Sequence, residues 1–352
     1  MRRLLGIIAF CILPFFQWRC DNTLQINGNY EEKVVVYGLL NYGQDTNYIR
    51  IQKTFLGENT SALNLASQAG ENYYSAGELE VKLEQWKFGA LVNTTFCDYV
   101  DGDTLGIEKD SGVFASSPNI LYRICMPLDS SSTYKLHILR LEDSSIFTAE
   151  TNLVQSFYLF SPTKPNAYIS FADTGNITYT CKQAVNGMIY DLVMTFRYAE
   201  VRHINGDSTI HSIDWVIFDN KEGTGTIGIS NLNYTLSRHA FYSFIASSLE
   251  VDTAVTRYAI NINYAWYAGG IELYDQYLNL LANLGLNEDY ISPEYTNVNG
   301  GLGIFSSRYI EAANNLILDD ISLDSLSCGA ITRQLRFVGS ASNHDYPACW
   351  EQ

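Results

Sequence analysis

Apolar and polar residues alternate one for one in short segments along most of the chain. The clearest are 47–53 (NYIRIQK), 78–84 (ELEVKLE) and 191–198 (DLVMTFRY). A period of two places successive side chains on opposite faces of an extended strand, so each segment is predicted to form a half-buried β-strand. Similar segments predict strands at 33–40, 89–96, 119–126, 133–141, 167–172, 176–181, 210–218 and 258–266.

Two segments instead show the three- and four-residue spacing of amphipathic helices. One covers 237–249, with Phe241, Phe244, Ile245 and Leu249 on one face. The other covers 271–284, with an apolar face made of Ile271, Tyr274, Tyr277, Leu278, Leu281 and Leu284. Both faces are predicted to pack against a sheet.

The chain has 352 residues, of which 47% are hydrophobic, so it can form a substantial core and is expected to contain two domains. We predict a mainly β fold, a β-rich α+β class. An N-terminal immunoglobulin-like antiparallel sandwich (21–152) precedes a larger antiparallel β domain with two packed helices (153–352). The net charge of −16 argues against binding to nucleic acid.

The N-terminus resembles an export signal. Two arginines precede the apolar run Leu4–Phe16, which is shorter than the roughly 20 residues that a membrane-spanning helix needs. The chain then turns polar just after Cys20, the position of the acylated cysteine in bacterial lipoproteins. Residues 1–20 are therefore predicted to be a signal peptide, with Cys20 as the lipidation site.

The residues around Cys20 leave an alternative open. Lipoprotein signals favour an aliphatic residue three positions before the cysteine and a small residue directly before it, whereas this chain has Gln17 and Arg19. The alternative is a soluble secreted or periplasmic protein. Cleavage before Cys20 would remove three arginines and leave 19 basic and 38 acidic residues, a net charge of −19. An acyl chain, and not charge, would then hold the protein to an anionic membrane.

Five cysteines follow Cys20, and none forms a C-x-x-C pair. In an oxidising compartment, Cys97 with Cys125 and Cys328 with Cys349 are candidate disulfides, which leaves Cys181 unpaired. Five reduced thiols that act as small hydrophobic residues are an equal alternative.

Acidic residues cluster at Asp98, Asp101 and Asp103, and several oxygen ligands in one loop could hold Ca²⁺. The loop begins as an EF-hand loop does, but Leu105 occupies a ligand position and no glutamate closes it. A solvated loop is the simpler interpretation, and no other cofactor is predicted.

One segment near the C-terminus resembles a known family. Residues 294–308 (EYTNVNGGLGIFSSR) are similar to a glycine-rich signature of exported Bacteroidota lipoproteins, the domain of unknown function 4249. Shorter similarities lie at 33–38, 134–136, 148–151, 196–198 and 213–215. In this signature Gly300, Gly301 and Gly303 are predicted to need positive φ or close backbone approach, with Phe305 inserted into the core beside them.

The resemblance implies a lipid-anchored protein of the outer membrane that acts with a partner such as a TonB-dependent transporter. It implies no catalytic residues. The leading hypothesis is therefore a non-enzymatic binding or accessory subunit of the cell envelope. A carbohydrate-active hydrolase with paired carboxylates and an adhesin-like structural module are the alternatives.

Overall fold

The computed structural model describes residues 32–55, 62–109, 112, 114–161, 167–172, 174–223, 229–284, 294–340 and 349. The predicted signal peptide and Cys20 lie outside these residues. The described chain is mainly β with several helices, which confirms the predicted fold class. The first half contains β1 (Val34–Leu40), β2 (Asn47–Lys53), α1 (Ala62–Ala66), α2 (Ala69–Asn72), β3 (Leu79–Lys87), β4 (Ala90–Phe96), β5 (Asp98–Asp101), β6 (Ile120–Ile124), β7 (Thr133–Arg140) and β8 (Ser145–Asn152).

The second half has longer strands and longer helices. It contains β9 (Leu159–Ser161), β10 (Tyr168–Ile169), β11 (Asn176–Lys182), β12 (Ile189–Arg202), β13 (Ser208–Glu222), β14 (Asn231–Ser237), α3 (His239–Ser248), β15 (Val255–Gly269), α4 (Ile271–Asn283), β16 (Leu302–Leu318) and α5 (Asp320–Cys328).

The first half is a two-sheet sandwich. One sheet has the order β5-β6-β2-β1 and the other the order β4-β3-β7-β8. This is the arrangement of an immunoglobulin-like domain, with strands A, B, E and D in one sheet and C′, C, F and G in the other. Alternate residues of both sheets, among them Val36, Ile49, Leu83 and Leu136, are buried between them.

A buried tyrosine fixes the loop that enters the second sheet. Tyr134, at the start of β7, is fully buried, and its hydroxyl accepts a 2.6 Å hydrogen bond from the Asp129 N–H. A tyrosine bonded back to the backbone at the start of strand F is a hallmark of immunoglobulin-like sandwiches. The same structural element therefore stabilises this sandwich.

In the second half, a four-stranded antiparallel sheet has the order β13-β12-β15-β16. Its inner face packs against α3, α5 and the small sheet β14-β11-β9 around Phe196, Tyr264, Trp266 and Phe241, all fully buried. Its outer face is partly covered by α4, which contacts β12, β13 and β16.

The long strand β16 joins the two halves. Its first residues pair in parallel with β1, from Val35 opposite Leu302 to Leu40 opposite Ser307. Its later residues pair with β15 in antiparallel order. Because β1 belongs to the sandwich and β15 to the four-stranded sheet, one continuous sheet crosses both halves.

The hydrophobic interior divides into two clusters along the chain. One contains residues from Val34 to Leu153, and the other begins at Val154. Val298 and Phe305 belong to the second half of the sequence, but they pack into the first cluster. The sandwich therefore completes its core with residues from the second half of the chain.

The two predicted helices are observed, but only one packs as predicted. Phe241 and Ile245 of α3 are fully buried, and Phe244 stacks on Trp215 with ring centroids 5.0 Å apart. The predicted apolar face of α4 is not buried: Ile271, Leu278, Leu281 and Leu284 are exposed. That prediction is wrong because the start of α4 is fixed by Glu272, which turns a different face toward the sheet.

Candidate functional site

A cleft of about 450 Å³ opens between α4 and the outer face of the four-stranded sheet. Strand residues form its floor and α4 forms one wall. The lining is mixed, with apolar, amide and charged side chains: Ile189, Asp191, Asn220, Gly269, Leu273, Gln276, Tyr277, Asn279, Leu280, Asn283, Glu294 and Arg308.

The polar part of the floor is centred on Asp191. The pairing of β12 with β13 shifts its register between Tyr190 and Leu192, so Asp191 lies in a β-bulge. A bulge redirects side chains locally. Here the carboxylate of Asp191 accepts a 2.8 Å hydrogen bond from the N–H of Asn220, which has a left-handed φ of 50°.

Arg308 supplies the cationic group of the floor. One of its terminal nitrogens lies 3.6 Å from the second oxygen of Asp191, and its guanidinium lies over the ring of Tyr267 at 5.2 Å from the centroid. Asp191 and Tyr267 are direct cross-strand neighbours of β12 and β15, and Arg308 is on β16. Three strands thus hold a carboxylate, a guanidinium and an aromatic ring against one another.

The wall of the cleft comes from one face of α4. Leu273, Gln276, Tyr277 and Leu280 line it, and their spacing of three and four residues places them on the same side of the helix. Two leucines and a tyrosine give this wall an apolar character, while Gln276 adds an amide that can donate and accept hydrogen bonds.

A shallower cavity of about 370 Å³ extends the cleft along the sheet. It shares Asp191, Asn220 and Arg308 with the deeper part and adds apolar contact surface from Val193 and Val216. The two cavities therefore form an elongated site that has its charged pair in the middle and apolar surface at both ends.

Glu272 fixes the start of α4, the helix that forms one wall of the cleft. It is buried, and its Oε2 accepts hydrogen bonds from Ser306 Oγ on β16 (2.7 Å) and Thr151 Oγ1 on β8 (3.1 Å). Burial raises the pKa of Glu272 above its ordinary value, although both hydroxyl donors oppose this shift. The carboxyl group connects the helix to both halves of the molecule.

The predicted cysteine pairs have different outcomes. Cys328, at the end of α5, is joined by a disulfide to Cys349. The predicted pairing of Cys97 with Cys125 is wrong, because both thiols are free. In the antiparallel pairing of β5 with β6, Asp98 lies opposite Arg123. Extending this register by one residue, back along the first strand and forward along the second, places Cys97 opposite Ile124. Cys97 and Cys125 then point to opposite faces of the sheet.

The three aspartates of the predicted calcium loop do not converge. Asp98 is paired with Arg123 at 2.9 Å. Asp101 accepts hydrogen bonds from the N–H groups of Asp103 and Asn119, both at 3.1 Å, and so caps the short 3-10 helix 102–105. In the part of the chain that the structure describes, no group of three potential ligands could hold a metal ion. The prediction of calcium there is therefore not retained.

The glycine-rich segment before β16 passes close to β1. Gly300 and Gly303 have positive φ angles of 80° and 97°. A Cβ on Gly301 would lie 2.7 Å from the carbonyl oxygen of Val34, and one on Gly303 would overlap the backbone of Val36. Phe305 is fully buried in the sandwich core. These residues are structural: they let β16 pair with β1.

The cleft residues carry no signature in the sequence. Asp191, Asn220 and Arg308 are far apart along the chain and belong to no common motif. Arg308 ends the segment that resembles exported lipoproteins, and Asp191 begins a predicted strand, but neither position indicates a site by itself. Only the sheet brings them together.

No family model and no curated protein matches the chain. Among solved structures, the C-terminal globular domain of an oligosaccharyltransferase from Pyrococcus abyssi is 12% identical, with a TM-score of 0.25. The match covers 66% of this chain and 48% of that one.

Two further structures are similar at the same low level. The FN1–FN3 domains of chicken CNTN1 are 8% identical (TM-score 0.16), with 81% of this chain and 66% of that one covered. Escherichia coli alpha-2-macroglobulin, activated by porcine elastase, is also 8% identical (TM-score 0.17), with 82% and 20% covered. This chain thus spans less than two thirds of each of these three structures. Among the described helices, none is both long and apolar enough to cross a membrane.

Proposed function

We propose that this chain is a cell-envelope binding subunit, held to the outer membrane by an acyl chain on Cys20, and that it acts with a membrane partner such as a TonB-dependent transporter. The observation that carries the binding role is the elongated cleft beside α4. A concave site that combines apolar contact surface with polar groups held in fixed positions is typical of binding sites.

The chemistry of the cleft favours recognition. Asp191 and Arg308 neutralise each other, and Asp191 is also bonded to the backbone of Asn220. Because both side chains are held in place, their remaining hydrogen-bonding atoms face a ligand in a defined orientation. Leu273, Tyr277 and Leu280 supply apolar contact beside it.

The exposed leucines of α4 extend this surface. Leu278, Leu281 and Leu284 remain in contact with solvent on the helix that forms the wall of the cleft. A contiguous apolar patch rimmed by polar groups is characteristic of protein interaction sites. A partner that contacts α4 would therefore also reach the mouth of the cleft.

Export is supported by two independent features. The N-terminal sequence resembles a lipoprotein signal, and the Cys328–Cys349 disulfide is typical of oxidising compartments outside the cytoplasm. The proposal therefore places the protein in the envelope, with its acidic body outside the cytoplasm.

Affinity purification from the native envelope tests the proposal. Three forms are compared: wild type, the cleft variant Tyr277→Ala with Leu280→Lys, and the control Ile204→Lys, a 92% exposed position at the tip of the β12–β13 hairpin. We expect an outer-membrane transporter to co-purify with wild type and control but not with the cleft variant. Recovery of the same proteins with all three forms would contradict the binding role.

The anchor is tested separately with Cys20→Ala. Loss of membrane association and of acylation is expected in this variant. If it remains membrane-bound and is processed as wild type is, the lipoprotein assignment is wrong, while the binding role of the cleft is unaffected.

A further inference from the structure

Arg308, in the middle of the cleft, lacks hydrogen bonds that its guanidinium can donate. Its Nε is buried and has no partner among the residues that the structure describes. One of its terminal nitrogens lies 3.6 Å from Asp191, which is longer than a hydrogen bond. A guanidinium carries several N–H donors, and a buried donor without an acceptor costs free energy. Arg308 can therefore gain hydrogen bonds from a ligand in the cleft.

The position of Arg308 is set before a ligand binds. Its guanidinium lies over the ring of Tyr267, 5.2 Å from the centroid. A guanidinium held over a ring can keep its N–H groups free for other acceptors. The two residues belong to the paired strands β16 and β15. Because the sheet holds both side chains, a ligand that uses Arg308 pays little for ordering the site.

The charges around Arg308 disfavour an anionic ligand. Asp191, Asp219 and Glu294 belong to the described lining of the two cavities, so three carboxylates accompany one guanidinium. Like charges repel at close range, and the whole chain has a net charge of −16. The acceptor for Arg308 is therefore expected to be a neutral oxygen. The carboxylates can in turn accept hydrogen bonds from the same ligand.

The two ends of the cleft are suited to aliphatic groups. Leu273 and Leu280 of α4 lie at one end, and Val193 and Val216 of the sheet lie at the other. Leu280 is 58% exposed and Val216 is 55% exposed, so a ligand that covers them would remove apolar surface from water. A ligand that fits is neutral and polar in its middle and aliphatic at both ends.

We propose that the cleft binds an extended peptide segment with aliphatic side chains and no acidic residue, which rests on the proposed binding role of the cleft. A peptide offers neutral carbonyl oxygens to Arg308, N–H groups to the carboxylates and side chains to the apolar ends. A sugar would place hydroxyl groups against leucine and valine without hydrogen-bond partners. A fatty acid would add another carboxylate to the three already present.

Two pools of synthetic peptides test this ligand class. The neutral pool contains N-acetylated, C-amidated peptides of about six residues, with Leu, Ile or Val alternating with Ser, Thr or Gly. The acidic pool has Asp or Glu in place of Ser, Thr or Gly. Each pool is dialysed against the detergent-solubilised full chain, with detergent alone as a blank, and retained peptides are measured by mass spectrometry. We expect at least about tenfold higher retention of neutral peptides. Equal retention of both pools, or no retention of neutral peptides, would overturn the proposal.

Arg308→Lys tests the central contact. Lysine keeps the charge but removes the planar group with its fixed donors. Calorimetric titration with the most strongly retained neutral peptide should show at least about tenfold weaker binding. Arg202→Lys changes an exposed arginine at the end of β12 and should bind as wild type does. Equal affinities of the two variants would show that Arg308 does not hold the peptide.

Gln276→Leu tests the cleft without a change in the sheet, and so remains informative if Arg308→Lys does not fold. Gln276 lies on the wall that α4 forms, and leucine has a similar helix propensity, so resistance to urea should be unchanged. The variant loses an amide that can bond to the peptide backbone, and binding should weaken about fivefold. Unchanged affinity in the folded variant would contradict the proposal.

Maltohexaose and laurate separate the ligand class from the binding role. If either is bound where neutral peptides are not, and Tyr277→Ala with Leu280→Lys abolishes that binding, the peptide assignment is wrong while the binding role of the cleft stands. If an outer-membrane transporter is still recovered with that cleft variant, the binding role itself is wrong.

Discussion

The Glu272 carboxylate on α4 accepts a 2.7 Å hydrogen bond from the Ser306 hydroxyl on β16, the strand that both halves share. The same oxygen accepts a second bond from Thr151. This buried carboxyl group therefore fixes the helix that forms the wall of the cleft, and its protonation should influence stability.

Glu272→Gln should change how stability depends on pH. Burial raises the pKa of Glu272 above 4.5, so the folded state keeps the proton to a higher pH than the unfolded state does. Wild type is therefore expected to lose stability relative to Glu272→Gln as pH rises above about 4.5. Urea unfolding of both forms between pH 4 and 7 measures this difference. A constant difference across this range would show that Glu272 titrates normally in the folded protein.

Gly303→Ala should strongly destabilise the protein, by at least about 3 kcal/mol, because the added Cβ overlaps the backbone of Val36. Gly206→Ala is a matched control, since Gly206 also has positive φ (73°) but faces open space. Its loss should be about 1 kcal/mol. Urea unfolding measures both losses of unfolding free energy. If the two variants lose similar amounts, the positive φ angle, and not the close contact between β1 and β16, is what requires glycine at position 303.

Arg257→Ala should cost about 3 kcal/mol because it leaves the half-buried Glu200 and two carbonyl oxygens without the buried guanidinium that they contact. Arg257 is buried and bonds to Glu200 Oε2 at 3.1 Å and to the carbonyl oxygens of Leu335 (2.8 Å) and Glu250 (3.1 Å). Arg202→Ala, an exposed residue at the end of β12, should have little effect on the unfolding free energy. Equal effects would argue against a stabilising role for the buried arginine.

Cys328→Ser should lower the unfolding free energy by about 3 kcal/mol, since the disulfide to Cys349 closes a loop with a sequence separation of 21. Cys125→Ser removes an exposed free thiol and should have almost no effect. Thermal unfolding with and without a reductant checks both. Reduction should destabilise wild type but leave Cys328→Ser unchanged; any other pattern would mean that the disulfide does not stabilise the fold.

The strands with clean alternation could be predicted closely from the sequence. The predicted segment 47–53 coincides with β2, and 191–198 lies within β12. β16 was missed because glycines precede it, the buried pair Ser306 and Ser307 is polar, and Asn314 and Asn315 interrupt the alternation. Its burial comes from pairing with β1 and β15, which are distant in sequence.

The cleft could not be predicted for a related reason. Helical periodicity correctly indicated α4, but it cannot show which face meets the protein, and here the interaction of Glu272 with Ser306 determines that orientation. Likewise, the bulge at Asp191 and the approach of Arg308 arise from strand pairing between distant segments. No local pattern encodes either feature.

The shared strand β16 has a consequence for the order in which the molecule can fold. β1 is the first described strand and its parallel neighbour is the last, so the paired positions Val35 and Leu302 are 267 residues apart in the sequence. Because the chain is synthesised from its N-terminus, the core of the sandwich cannot be completed until Phe305 has been made. Until then the edge of β1 stays open, and the partly folded chain exposes an unpaired strand edge that favours aggregation.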